Sequence, residues 1–185
     1  MPSSIVLAVL LQAVPAPQLQ PQPAAQPSPP PPCASAAHTA FDFWVGEWDV
    51  HPNASDPAKS PLVARSRIEK LYDGCAIREN WMPLNGPAGG SLNSLDPATG
   101  RWHQTWIGGG PGRVEFEGGP VAGGMVLTGY WKGVLGPGKD ALVRMTYTRR
   151  EDGSVRQFGE ASTDHGVSWQ TNFDLIYRPR PKEAE

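Results

Sequence analysis

Apolar and polar side chains alternate in short stretches along most of the chain from Trp44 onward. In residues 101–107, Trp102, Gln104 and Trp106 fall on one face of an extended chain, and residues 142–148 alternate in the same way. A period of two residues indicates β-strands, and no stretch shows the apolar period of a helix. The pattern predicts about ten strands, at residues 44–51, 62–71, 76–82, 91–95, 101–107, 113–117, 125–131, 142–148, 155–162 and 168–177.

The segments between these strands are rich in turn-forming residues. Asp and Gly recur at residues 73–74, 96–100, 151–153 and 164–166, and they tolerate the backbone angles that tight turns need. Tight turns imply antiparallel neighbours, and ten such strands either stack as two sheets or close into a barrel. Closure is favoured because it removes the exposed sheet edges that promote aggregation. We therefore expect an all-β fold: a single closed antiparallel β-barrel. The glycine-rich stretches 108–112, 118–124 and 133–138 predict longer loops around one barrel end.

The first third of the chain has a different composition. No Lys, Arg, Asp or Glu precedes Asp42, and residues 5–11 form an apolar run shorter than the roughly 20 residues that span a bilayer. Small residues follow that run, which predicts a signal peptide at residues 1–16 and a periplasmic or secreted protein with no transmembrane segment in its mature form. Residues 17–37, rich in Pro, Gln and Ala, predict a disordered linker. The barrel domain is then expected at residues 38–180.

Charge and cysteine content narrow the function further. The 16 basic and 18 acidic residues provide no positive surface for nucleic acid or anionic lipid. Cys33 and Cys75 can form a disulfide only if the fold brings their Cα atoms within about 7 Å in an oxidising compartment. Their positions alone leave open a disulfide or two unrelated thiols.

A family resemblance covers residues 41–178. The segment 41–50 contains Gly46-x-Trp48, the motif that lipocalins and related calycins carry on their first strand. Together with segments 73–81, 91–106 and 162–169, it resembles an uncharacterised family of exported bacterial lipocalin-like β-barrel proteins. The resemblance implies a calycin-like barrel with one end plugged by Trp48 and a disulfide between Cys33 and Cys75. The resemblance also implies an aromatic residue where this chain has Gly159 and acidic residues where it has Gly108 to Gly110, and these departures predict a larger cavity or a more open mouth.

The motifs that accompany common chemistry are missing from the sequence. His38, His51, His103 and His165 lie singly, without the short spacing of zinc ligands. There is no Gly-x-Ser-x-Gly nucleophile motif, and the glycine-rich stretches are not followed by the Lys-Ser/Thr of a phosphate-binding loop. The sequence predicts no metal, no cofactor and no catalytic residue. An enzymatic alternative would need a buried acid or base with a shifted pKa, for which Glu79 is the candidate.

Aromatic and polar residues on the predicted strands suggest a binding pocket. Most of the seven tryptophans are expected to belong to the core. Alternation along the strands allows a set of aromatic and polar residues to face the lumen. A shift of one residue in the register would instead turn those residues to the outer surface. We expect that set to bind a small, partly apolar or amphipathic ligand in a cavity above about 300 Å³. The alternative is a protein- or envelope-interaction module with a fully packed core. The candidate ligand-binding residues are Glu79, Trp81, Asn93, Gln104, Trp106 and Gln157.

Overall fold

The structure, a computed structural model, describes residues 32–110 and 112–181. The predicted signal peptide and residues 17–31 of the predicted linker lie outside the described residues. Short 3₁₀ turns occur at Asp42–Trp44, Pro57–Lys59 and Tyr72–Gly74. The strands are β1 (Gly46–Pro52), β2 (Ala64–Leu71), β3 (Ala76–Pro83), β4 (Gly89–Asp96), β5 (Arg101–Gly108), β6 (Val114–Val121), β7 (Gly124–Trp131), β8 (Ala141–Arg149), β9 (Val155–Ser162) and β10 (Gln170–Pro179).

The ten strands form the predicted closed antiparallel barrel. Each strand pairs with its neighbours in the sequence, and β1 also pairs with β10, where Val50 lies opposite Tyr177. Alternate side chains point inward: in β8, Val143, Met145 and Tyr147 are buried, whereas Arg144 is only half-buried on the other face. The alternation that predicts the strands therefore also separates the lumen from the outer surface.

One barrel end is plugged by the residues that precede β1. The 3₁₀ turn at Asp42–Trp44 directs the rings of Phe41 and Trp44 inward, where they stack with centroids 4.9 Å apart and are fully buried. The Trp48 indole Nε1 donates a hydrogen bond to the Trp44 carbonyl oxygen at 2.9 Å. Gly46 has a φ of +152°, and a Cβ there would lie 3.3 Å from the Trp48 ring. Phe41 and Trp44 thus fill the end for which the resemblance implied Trp48 as the plug, and Trp48 instead supports Trp44 through this hydrogen bond.

The segment before this plug is covalently attached to the barrel. Cys33 and Cys75 form a disulfide, with Cα atoms 4.9 Å apart, as the family resemblance implied. The Trp102 indole also donates a hydrogen bond to the carbonyl oxygen of Ala37 at 3.2 Å. The last described residues of the predicted linker, 32–37, accordingly lie in turns and a bend beside the plugged end.

The loops at the opposite end are mostly longer, at residues 53–63, 84–88, 132–140 and 163–169, and residues 109–110 and 112–113 also lie between strands at this end. The prediction of a loop at 118–124 is wrong, because β6 continues to Val121 and β7 begins at Gly124. A Cβ at Gly118 would lie 1.9 Å from the carbonyl oxygen of Val126, so glycine here permits close strand pairing. Strand β10 begins at Gln170, so Trp169 precedes it. Within the described part of the chain, no helix has the length and apolar character to cross a bilayer.

Candidate functional site

A cavity of about 270 Å³ occupies the lumen. An apolar cavity of about 150 Å³ accommodates benzene, whereas pockets for drug-sized ligands usually exceed about 300 Å³. The prediction of a cavity above about 300 Å³ is therefore wrong, and the observed volume suits a molecule of one or two rings.

The rim of the cavity is aromatic and apolar. Trp81, Trp106 and Trp131 lie near the ends of β3, β5 and β7 that lead into the longer loops, and Phe173 and Leu175 of β10 complete the rim. All five side chains are half-buried. Because these side chains remain partly exposed while the opposite end is plugged, the cavity faces the end with the longer loops.

The floor of the cavity contains a buried carboxyl group. Glu79 of β3 is 4% exposed, and its carboxyl oxygens accept hydrogen bonds from three hydroxyl groups. The Ser66 and Ser91 hydroxyls lie 3.2 Å away, on the neighbouring strands β2 and β4. The Tyr177 hydroxyl, from β10, is 3.3 Å away. Strand alternation sends Glu79 inward, and the barrel closure brings Tyr177 to it.

Hydrogen bonds extend from Glu79 around the lumen. The Tyr177 hydroxyl donates to Gln157 Oε1 at 2.7 Å, and Gln157 Nε2 donates to the Tyr147 hydroxyl at 3.0 Å. Gln104 Nε2 lies 3.5 Å from the same Tyr147 oxygen, which connects β8 with β5. Each of these polar groups is buried and partnered, as stable burial requires.

Asn93 completes this arrangement on the other side. Gln104 Nε2 donates to Asn93 Oδ1 at 2.7 Å, and Asn93 Nδ2 donates to Ser91 Oγ at 3.1 Å. Ser91 in turn donates to Glu79, so the hydrogen bonds form a closed circuit. We call this circuit the polar ring; its members are Glu79, Ser91, Asn93, Gln104, Tyr147, Gln157 and Tyr177.

Burial shifts the proton affinities of the polar ring. Desolvation raises the pKa of Glu79 from 4.5 to about 7, against the lowering effect of hydrogen bonds from Ser66, Ser91 and Tyr177. Desolvation, followed by the charge of Glu79, also raises the pKa of Tyr147 and Tyr177. Near neutral pH, Glu79 is therefore divided between its acid and carboxylate forms, while both tyrosines keep their protons.

The polar ring can accommodate both forms of Glu79. The single proton of the Tyr177 hydroxyl can be donated to only one acceptor, and the Gln157 oxygen is the closer one. Protonated Glu79 can then donate its own proton to Tyr177. When Glu79 is ionised, Tyr177 can donate to the carboxylate instead, provided that the Gln157 amide turns to present its NH₂ group to the Tyr177 oxygen.

Most predicted site residues meet at this cavity. Glu79, Trp81, Gln104, Trp106 and Gln157 line it. Asn93 does not line it; the residue is fully buried and supports Gln104 through a hydrogen bond.

Several residues that line the cavity were not predicted from the sequence to belong to the site. Tyr147 and Tyr177 supply polar ring hydroxyls, and Trp131 and Phe173 form part of the rim. Their positions in alternating apolar stretches were a signal for inward orientation. That signal does not distinguish a cavity wall from a packed core.

The prediction that Gly159 leaves additional open space is wrong. Phe173 lies opposite Gly159 across the β9–β10 pair, and a Cβ at position 159 would lie 2.3 Å from the Phe173 ring. A β-bulge between Thr171 and Phe173 sets this register. The space above Gly159 is thus occupied by an aromatic ring from the neighbouring strand, and that ring lines the cavity.

The described residues contain no group of three His, Cys, Asp or Glu side chains arranged to hold a metal ion. No protein-family model matches the chain, and no curated protein matches it. The cavity and the polar ring are therefore the features that bear on function.

Proposed function

We propose that this protein is an exported lipocalin-like barrel that binds a small, partly apolar ligand in its lumen. The observation that carries the proposal is the combination, in one cavity, of an aromatic rim and a polar floor. Ligand pockets typically combine apolar walls with a few convergent polar groups. A barrel that only needed a stable interior could fill this space with apolar side chains, which avoids the cost of burying a carboxyl group.

Export is supported by two independent features. The Cys33–Cys75 disulfide is the kind of bond that persists in oxidising compartments such as the periplasm or the extracellular space. The apolar run at residues 5–11 has the length of a signal-peptide core. A periplasmic or secreted barrel would meet small molecules that diffuse outside the cytoplasm.

Native mass spectrometry of the full chain purified from the compartment to which it is exported tests the proposal. We expect a mass above that of the polypeptide, with the excess lost on denaturation. Leu175→Trp should abolish the excess by filling the cavity from its rim, and Leu92→Trp on the exposed outer face of β4 should retain it. Equal masses before and after denaturation would contradict ligand binding.

A second candidate function is interaction with another protein or the cell envelope. Tyr72, Leu92 and Ile107 are exposed and line one shallow groove on the outer face of the barrel. Exposed apolar groups that cluster in this way can mark an interaction surface. Capture from the envelope fraction that is lost in Leu92→Asp, together with no retained small molecule, would favour this candidate over lumenal binding.

The pKa of Glu79 also permits acid–base chemistry. Analysis of an added small molecule before and after incubation with the protein separates this enzymatic alternative from simple binding. A binding protein returns its bound molecule unchanged on denaturation, whereas an enzyme converts an added substrate to a product of different mass or structure.

A further inference from the structure

The charge that the cavity lining can carry is negative. Among the described residues, its lining includes no Lys, Arg or His, and its titratable groups are Glu79, Tyr147 and Tyr177. Burial keeps the two tyrosines neutral, so the charge that develops in the cavity is the negative charge of Glu79. An anionic ligand such as a carboxylic acid would find no opposite charge here and would be repelled by ionised Glu79.

The Glu79 carboxylate has capacity for another donor. Oε1 accepts hydrogen bonds from Ser66 and Tyr177, whereas Oε2 accepts one from Ser91. Each carboxylate oxygen offers about two acceptor positions, so Oε2 retains one. A charged N–H donor at that position would make a charge-assisted hydrogen bond, roughly twice as strong as a neutral one.

The aromatic rim is also suited to a positive charge. Trp81 is two residues from Glu79 on the same inward face of β3, and its ring centroid is 6.3 Å from that of Tyr177, which contacts Glu79. Trp106 and Trp131 line the same cavity. Indole faces attract ammonium groups by cation–π interaction, and the attraction strengthens when the cation is desolvated.

We propose that the lumen binds a small organic amine as its protonated cation, with the ammonium group at Glu79 and the apolar body between the rim tryptophans. The volume of the cavity limits that body to one or two rings. This inference depends on the proposed lumenal binding and adds the chemical class of the ligand.

Binding of an amine should depend on pH through Glu79. The groups that face the Glu79 carboxyl are the uncharged hydroxyls of Ser66, Ser91 and Tyr177, with Tyr147 the next titratable group in the lumen. With a pKa of about 7, Glu79 is about 3% ionised at pH 5.5 and about 90% ionised at pH 8. If only the ionised form binds the cation, affinity for the amine rises about 30-fold over that interval.

Three ligands of nearly equal size test the inference: 2-phenylethylamine, 2-phenylethanol and phenylacetate. Calorimetric titration of the full chain at pH 8 should give the order amine, alcohol, acid. The affinity for the amine should fall about 30-fold at pH 5.5, whereas that for the alcohol should not. Glu79→Gln should weaken amine binding at pH 8 by about 30-fold or more and remove its pH dependence while retaining alcohol binding, and Glu115→Gln, on the outer face of β6, should leave amine binding unchanged.

The outcomes separate the two proposals. Retained alcohol binding by Glu79→Gln shows that the variant is folded, and the pH dependence of the wild-type protein tests the inference without any variant. Equal affinities for the three ligands would overturn the assignment of an amine while leaving lumenal binding intact. Failure of all three to bind would overturn both proposals.

Discussion

At the scale of single residues, Glu79 couples the stability of the barrel to pH. Its carboxyl group is buried among hydroxyl and amide groups without a described cation beside it. Burial favours the protonated form, so the folded protein binds this proton more tightly than the unfolded chain does. The same property that prepares the cavity for a cation therefore makes the ligand-free protein less stable at higher pH.

We predict that the free energy of unfolding falls as pH rises from about 4.5 through 7. In this range the unfolded chain releases the Glu79 proton while the folded chain retains it, so the stabilisation present below pH 4.5 is lost as pH passes the folded-state pKa. The shift corresponds to about 3 kcal/mol between pH 4 and pH 8. Glu79→Gln cannot titrate at this position. Its free energy of unfolding, relative to that of the wild-type protein, should therefore rise by this amount between pH 4 and pH 8, as measured by urea unfolding across the pH series.

The matched control is Glu115→Gln, which removes an exposed carboxylate from the outer face of β6. Its stability difference from the wild-type protein should show no comparable change with pH. Parallel stability curves for the wild-type protein and Glu79→Gln would contradict the assigned pKa.

Gly159 tests the packing of the cavity wall. In Gly159→Ala the new methyl group would overlap the Phe173 ring, so the ring must move. We expect a loss of about 1–3 kcal/mol in the free energy of unfolding, the usual range for overpacking. Gly119→Ala is the control, since a Cβ there meets no atom within 4 Å. Equal stability of the two variants in urea unfolding would show that Phe173 does not lie against Gly159.

For these residues, the orientation of side chains toward the lumen could be predicted from the sequence more readily than their contacts across strands. Alternation along β3 and β5 allowed Glu79, Trp81, Gln104 and Trp106 to face the lumen but did not require it, and the structure places them at the cavity. The contact between Phe173 and Gly159 was not predictable, because it depends on the β9–β10 register and on a bulge. A single strand's pattern carries no information about which residue lies opposite on its neighbour.

At the scale of elements, the segment before β1 acts as an attached plug. The Cys33–Cys75 disulfide closes a separation of 42 residues, and Phe41 and Trp44 fill the barrel end within that loop. A cross-link of this length restricts the unfolded chain. It also keeps the plug residues close to their binding position whenever the end of the barrel opens locally.

The double variant Cys33→Ser with Cys75→Ser tests this role. We expect the free energy of unfolding to fall by about 2–4 kcal/mol, because the unfolded chain regains conformational entropy. Chemical reduction of the wild-type protein should give the same loss, which separates the effect of the bond from that of the serines. A variant as stable as the oxidised protein would show that the disulfide does not stabilise the plugged barrel.

The strands themselves were largely predictable, but their ends were less so. The predicted strands 76–82 and 155–162 agree closely with β3 and β9. Strand β6 extends four residues beyond the predicted end at Glu117, through Gly118, Gly119 and Pro120. Glycine and proline usually indicate turns, and here the close approach of β6 and β7 at Gly118 overrides that preference.

At the scale of the whole molecule, the two ends of the barrel have different roles. Short turns and the Phe41–Trp44 plug close one end, and the longer loops surround the other, toward which the aromatic rim faces. Closure of β1 on β10 was the favoured of two arrangements open to ten antiparallel strands, because two stacked sheets would leave exposed edges. The cavity was not predictable from the sequence, because its volume is the small difference between the volume enclosed by the barrel and the volume of the side chains inside it.

Entry of a small apolar molecule into this lumen can be measured directly. Titration of ¹⁵N-labelled protein with benzene should shift the indole N–H resonances of Trp81, Trp106 and Trp131 saturably, because these side chains line the cavity. The resonance of Trp169, which lies beside Arg144 and does not line the cavity, should not move. Unchanged resonances for the three cavity tryptophans, or a shift confined to Trp169, would contradict the presence of an accessible binding cavity in the barrel.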